Sequence, residues 1–317
     1  MLKVSEYIFS TEFLFAVIRM ATPLIFVGMA AVVGAKANVL CIAYEAMMLF
    51  AALGGVVGSA LTQNIFVGII VGILSGLIIA AIFAYFVLYL DTKPLLAGLA
   101  LNTLGTGGTV YIVYLITGMK LDTSSLASLR FPALEIPIIE KIPYIGKLIS
   151  GHNVLSYIAF ISVVLVWYIV YRTKLGLRIR AVGEDPAAAA SVGINVNKTK
   201  FIALLISGVL ASMGGLFMSM GYMPYFTTNM TAGRGFIGIA AQNLGRGNPL
   251  WTMLYTLVFG ASMATGNIAQ SFRLPSQFAS MMPYLITLIG LVMIGIRNKR
   301  DKDINKKVKI EGVEDES

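Results

Sequence analysis

The chain has 317 residues, of which 57% are hydrophobic and only 12% charged, with a net charge of +9 and a mean hydropathy of +0.83. Soluble domains carry about 25% charged residues, so a water-soluble globular fold is excluded. One cysteine (Cys41) and one histidine (His152) exclude a disulfide framework and a Cys/His metal cluster within the chain. The positive charge lies next to apolar runs, which is the pattern of membrane orientation and not of nucleic-acid binding.

At about 20 residues per crossing, apolar runs predict spans at 13–34, 39–61, 65–90, 95–118, 154–171, 201–221, 235–246, 250–271 and 277–296. The fold class is all-α: a polytopic helical membrane protein with about 8–10 transmembrane helices. The seventh run is too short for a full crossing and reads as a broken or re-entrant segment buried among its neighbours. The N-terminus lacks a cleavable signal pattern, so the first span is expected to be retained. Residues 1–300 form the membrane domain and 301–317 a charged tail. That tail follows Arg297, Lys299 and Arg300 and turns acidic after Lys309.

Gly54 and Gly58, then Gly68, Gly72 and Gly76, recur at four-residue spacing, and Ser207, Ala211 and Gly215 repeat the pattern. Small residues at this interval let helices approach closely in lipid, either within one subunit or against a second. The charged residues inside the first two spans are Arg19 and Glu45, and they are expected either to pair across the first two helices or to face a cavity. Asn102, Thr103, Gln242 and Asn243 are candidate pathway residues able to hydrogen-bond a polar solute, and Phe236 is a candidate to stack on a ring. Helix–helix hydrogen bonding and packing are the competing readings.

Residues 119–153 form the longest stretch without a span, with Pro132, Pro137 and Pro143 and balanced charge. They are expected outside the cell, either covering a pore mouth or docking partner or simply connecting two spans. Residues 172–200 are different. Arg172, Lys174, Arg178, Arg180, Lys198 and Lys200 stand against Glu184 and Asp185 alone, which predicts a cytoplasmic loop. The equally basic tail places the C-terminus on the same side. Within the loop, Asp185 suits an N-cap, Pro186 the first helical position, Ala187 to Ala190 the body, and Gly193 the residue after the last turn. Such a helix of seven or eight residues is too short to stand alone in water. It either lies on its own membrane domain or docks into a cytoplasmic partner.

No phosphate-binding loop is present: Gly146-Lys147 is followed by Leu148, and Lys141 stands where the first glycine belongs. No nucleophile elbow or H-E-x-x-H pair occurs, so no enzyme activity, cofactor or metal is expected. A transporter or channel working alone would need an ion-coupling site, for which intramembrane carboxylates are scarce.

The run Gly176-Leu177, Ile179 to Gly183, Asp185 to Ala188, Val192 to Val196, Lys198 and Lys200 resembles the main cytoplasmic loop of a family of permeases. These are the membrane subunits of ABC importers for branched-chain amino acids, ribose-type sugars and nucleosides. Ser207-Gly208 with Gly214-Gly215, Gly233-x-Gly235-Phe236-Ile237, Leu244-Gly245 and Phe259-Gly260 resemble later blocks. Leu101-Asn102-Thr103 and Ile142-Pro143-x-Ile145-Gly146 resemble the nucleoside members. One block departs: Asn38, Ala43 and Ala46 stand where the family has glycine and Cys41 where it has asparagine, while Ile42, Glu45, Met47 and Met48 match. The resemblance implies a permease subunit without its own ATP site, in the bacterial cytoplasmic membrane. Its implied partners are a second permease, forming a heterodimer, a cytoplasmic ABC ATPase and an extracytoplasmic solute-binding lipoprotein. It also implies that Gly183, Glu184, Asp185, Pro186, Ala187, Ala188 and Gly193 form the ATPase-coupling element.

Overall fold

The computed structural model describes residues 10–134 and 150–271, together with Met281, Leu285 and Val292. Apart from those three residues, the expected last span lies outside the described residues, as do the tail and the 142–146 motif.

The elements are helices: α1 (Thr11–Lys36), α2 (Tyr44–Thr62), α3 (Ile65–Tyr89), α4 (Pro94–Thr117) and α5 (Val154–Arg172) are followed by two short ones, α6 (Lys174–Glu184) and α7 (Pro186–Ser191). Then come α8 (Val196–Leu216), which runs on into a π-helical segment (Phe217–Tyr222), a half-length α9 (Arg234–Leu244), and α10 (Pro249–Ser271). Six of these, α1 to α5 and α8 with its π segment, are long and apolar enough to cross a membrane. The protein is a multi-pass helical membrane protein. At 1.5 Å per residue, α1 measures about 39 Å, more than the roughly 30 Å hydrocarbon core, whereas the 11-residue α9 reaches only about half-way across it.

The helices differ in how much they face inward. The apolar stretch of α1 is 83% buried and those of α2 and α8 are 67% buried, against 28% for α3 and α4, so α1, α2 and α8 form the centre. The small-residue stripes make this packing possible, and they pack within the subunit. A Cβ on Gly72 or Gly76 would stand 2.9 Å from Ala51 O or 3.0 Å from Met47 O of α2, with α8 side chains pressing from the other side. Ser207 of α8 donates its hydroxyl proton to Ala30 O of α1 at 2.9 Å.

At one end of the bundle, residues 118–134 and 150–153 close over the π segment and the loop after it. Thr123 N donates to Phe226 O, Phe131 N to Met220 O and Thr228 N to Leu121 O, each at 2.9 Å. Asp122 caps a turn in this cover, where the Ser124 hydroxyl and N–H lower its carboxyl from the ordinary value. The opposite end is basic: Lys36 and Arg180 both lie over the Tyr171 ring, and Arg172 lies over Trp167.

Two expectations need correcting. The second span does not begin at residue 39: residues 37–43 form a non-helical connection, buried in part, and α2 starts only at Tyr44. Residues 174–184 form an 11-residue helix and not open loop. Gly176, Ile179 and Val182 are its buried residues, and this i, i+3 spacing was hidden among the arginines that mark the loop as basic.

Candidate functional site

The connection 37–43 exposes a problem: non-helical backbone among packed membrane helices needs partners for its polar groups. Asn38 takes a left-handed turn at φ 53°, and Val39 N returns to Gly34 O at 3.1 Å. Cys41 N donates to Val39 O at 3.0 Å, and Asn102 of α4 serves the end of the connection. Its Nδ2 donates to Ile42 O and its Oδ1 accepts from Ala46 N, both at 3.0 Å, so one buried amide joins the connection to the first turn of α2.

Glu45 sits in that same first turn, 4% exposed. Its Oε1 accepts from Thr231 Oγ1 at 2.6 Å and from Gly233 N at 2.7 Å, and its Oε2 accepts from Gly235 N at 2.7 Å. These are donors at the start of α9, whose first N–H groups have no partner within the helix. The N-termini of α2 and α9 converge here, so two positive dipole ends share one carboxylate. The approach is close enough that a Cβ on Gly235 would lie 2.7 Å from Glu45 N. The expected pairing of Arg19 with Glu45 does not form. The carboxylate is taken up by these three donors, and the Arg19 guanidinium lies over the Tyr222 ring, 5.0 Å from its centre.

The other pathway candidates separate into two sets. Gln242 and Asn243 line a cavity of about 180 Å³ together with Asn38, Leu40, Cys41 and Tyr44, so the end of α9 and the connection share one hollow. Phe236 is 40% exposed and lies seven residues, about two turns, before Asn243 on the open side of α9. Thr103 is also exposed, and its hydroxyl donates to Leu99 O of its own helix at 3.0 Å. Asn102, its neighbour, is turned inward as the clamp described above. Thr231 is not marked in the sequence, and Asn38, Cys41 and Gly233 stand out there only in the family blocks and not as site residues. The Gly-x-Gly ahead of an unusually short apolar run was the available signal for the last of these.

At the basic end, α6 and α7 form a platform. The Thr173 hydroxyl oxygen accepts from Gly176 N at 3.1 Å and caps α6. Gly183 lies so close to the end of α1 that a Cβ there would stand 2.1 Å from Lys36 O. Asp185 caps α7: its Oδ1 accepts from Ala187 N at 2.9 Å and Ala188 N at 3.0 Å. The helix has six residues, somewhat fewer than expected, and Gly193 follows at φ 82°. Only Ala189 of α7 is buried. Glu184, Asp185, Pro186, Ala187 and Ala188 are all exposed, as are Val192 and Gly193. A small apolar helix displayed in this way has no counterpart elsewhere in the described residues.

Residues 13–295 match the family of permease components of branched-chain amino acid transport systems. The chain belongs to this family. Similar proteins include one named as a glucose ABC transporter permease, TsgC13, of Haloferax volcanii, 32% identical over 92% of this chain and 94% of that one. The nucleoside ABC transporter permease NupC of Lactococcus lactis is 30% identical over 86% of this chain and 89% of its own, and the guanosine ABC transporter permease NupQ of Bacillus subtilis 34% over 62% of each. In both of these bacteria a second permease, NupB or NupP, also matches part of the chain. A chain of the structure of PsaBC from Streptococcus pneumoniae in complex with Fab shares the fold, with a TM-score of 0.50 at 13% identity over 86% of this chain and 89% of that one.

The protein is therefore a permease subunit of an ABC importer, a class whose members lack an ATPase site of their own. For this permease the geometry links the two regions. Gly183 touches the last residue of α1, α1 runs directly into the connection 37–43, and the connection leads into the first turn of α2, whose Glu45 holds the start of α9.

Proposed function

We propose that this permease forms half of the translocation pathway of an importer for nucleosides and is driven through α7 and its flanks. Its partners are a second permease, a cytoplasmic ABC ATPase that docks on Gly183 to Ala188 and Gly193, and an extracytoplasmic solute-binding lipoprotein. The basic end, with the C-terminus, faces the cytoplasm, and the cover formed by residues 118–134 faces outward in the cell membrane. The second permease is a different chain, a reading supported by the paired permeases NupB/NupC and NupP/NupQ and by the degenerate 38–46 block here.

The observation that carries this reading is the platform. Five of the six residues of this capped helix are exposed, yet a helix of this length gains its stability from docking. ATP-driven movement of α7 would pass through Gly183 to the end of α1 and so to the clamped junction of α2 and α9. Thr103, Phe236, Gln242 and Asn243 then form the solute-facing surface, and Asn102 and Glu45 hold it in shape. Two of the matched relatives are named for nucleoside or guanosine transport, which supports a nucleoside as the solute. The 32% identity to a protein named for glucose favours a sugar as the second reading.

The test is reconstitution of the permease pair with its ATPase and lipoprotein, followed by assay of ATP hydrolysis with and without nucleoside, sugar or branched-chain amino acid. Nucleoside-loaded lipoprotein is expected to stimulate hydrolysis; stimulation by sugar alone would move the assignment to the second reading. Gly183→Ala displaces α6 from Lys36 O and is expected to leave ATP hydrolysis while reducing uptake at least tenfold. Unchanged uptake would remove the proposed route.

A further inference from the structure

The end of the molecule opposite the platform carries a feature that the pathway does not use. Arg19 of α1 and Arg130 of the covering segment line one hollow of about 260 Å³, together with His152, Ser156 and Gly221. Arg19 is held over the Tyr222 ring, and Arg130 Nε donates to Gly221 O at 3.4 Å, so both guanidiniums are positioned and keep further N–H groups for a ligand. No carboxylate stands among the described residues that line the hollow. Among the described residues the two guanidiniums share this hollow without a carboxylate, and such a pair suits a divalent or diffuse anion, phosphate fitting their planar donor forks.

A second hollow of about 460 Å³ opens beside the first, lined by Ile18, Phe160 and Ile161 together with His152, Ser156 and Tyr157. It runs between α1 and α5 past Ile18, Phe160 and Ile161, and His152 and Ser156 border both hollows, so the two adjoin at these residues. Beyond Ile161, the face of α5 that carries Val164 and Leu165 is exposed and apolar, as a lipid-facing surface is. Arg19 lies eight residues into α1, about 12 Å along its axis from Thr11, within reach of the headgroup region for a side chain that extends toward the polar boundary.

We propose that this α1–α5 cleft binds one anionic phospholipid from the leaflet on that side, with its phosphate on Arg19 and Arg130 and an acyl chain along Ile18, Phe160 and Ile161. A soluble phosphate would fill only the first hollow, and a neutral lipid chain only the second. An amphiphile with an anionic head fits both. The bound lipid would brace α1, the central helix, against α5, at the end of α1 remote from Lys36.

Native mass spectrometry of the full chain in mild detergent tests this with phosphatidylglycerol, with phosphatidylcholine of the same acyl chains, and with glycerol 3-phosphate. Phosphatidylglycerol is expected to be retained about tenfold better than phosphatidylcholine. Charge removal by Arg19→Gln with Arg130→Gln should weaken phosphatidylglycerol retention tenfold or more, at roughly 1 kcal/mol per lost cation near a bilayer surface. The charge-keeping pair Arg19→Lys with Arg130→Lys guards against misfolding and should stay within a few-fold of wild type. Ile161→Trp, on an exposed position, should fill the groove and weaken both lipids. Equal retention of the two lipids, or wild-type retention in the Gln pair, would overturn the proposal. Displacement of phosphatidylglycerol by equimolar glycerol 3-phosphate would replace the lipid with a soluble anion. Displacement by an acidic peptide would replace it with a docking protein.

Discussion

Two short helices of this permease have their N-termini satisfied in opposite ways. Helix α7 is capped by Asp185, the residue directly before it, in the exposed platform. Helix α9 is capped by Glu45, which lies 186 to 190 residues earlier in the chain and reaches it across the bundle. Water can replace a lost cap at α7, but at α9 only protein is at hand. A cap in solvent is therefore a local convenience, whereas a cap inside a membrane bundle becomes a tertiary contact that joins two helices.

Removal of the remote cap should have the largest effect. Glu45→Ala strands two N–H groups and a hydroxyl, and should lower stability by about 3–5 kcal/mol, seen as a drop of roughly 10 °C in the melting temperature of the detergent-purified permease. Glu45→Gln retains an acceptor but loses the charge facing two helix dipoles, and should fall between. A Glu45→Ala protein as stable as wild type would show that the α2–α9 junction does not depend on this carboxylate.

The amide clamp comes next. Asn102→Ala leaves Ile42 O and Ala46 N without their partner and should cost about 1–3 kcal/mol. Thr103→Val beside it should be nearly neutral for stability, because that hydroxyl bonds only within its own helix. Equal melting temperatures for the two variants would contradict the division between clamp and exposed face.

The smallest effect belongs to the local cap. Asp185→Ala should cost about 1 kcal/mol of α7 alone. The melting temperature should not move, but the Ala187 and Ala188 amides should exchange hydrogen several-fold faster, measured by mass spectrometry in deuterated buffer. Asp185→Asn, which can still accept, should exchange like wild type. Unaltered exchange in the alanine variant would deny the cap any role.

These contrasts follow what could be read directly from the chain. The spans at 65–90, 95–118, 154–171 and 250–271 lie within a residue of the observed helices because apolar length is a local property. Asp185, Pro186 and Gly193 delimited α7 for the same reason, and α9 was recognised as too short to cross. Helix α6 was missed because three buried positions, Gly176, Ile179 and Val182, were outweighed by the basic residues around them. The break at 37–43 was missed because its residues are as apolar as those of a helix, and hydropathy does not register a change of backbone direction.

Composition and order thus determined the membrane class, the number and length of most helices, the basic end and the capped platform, since each depends on neighbours in sequence. The tertiary structure decided what Glu45, Asn102 and Arg19 do. In the sequence Glu45 and Arg19 are the charges of the first two spans, and pairing is one of their two readings. The fold instead brought Glu45 to the bare N-terminus of α9 and Arg19 to Tyr222 and the hollow shared with Arg130. Away from water, a polar group is stabilised by whichever complementary group the packing places within about 3 Å, and only the assembled bundle sets that distance.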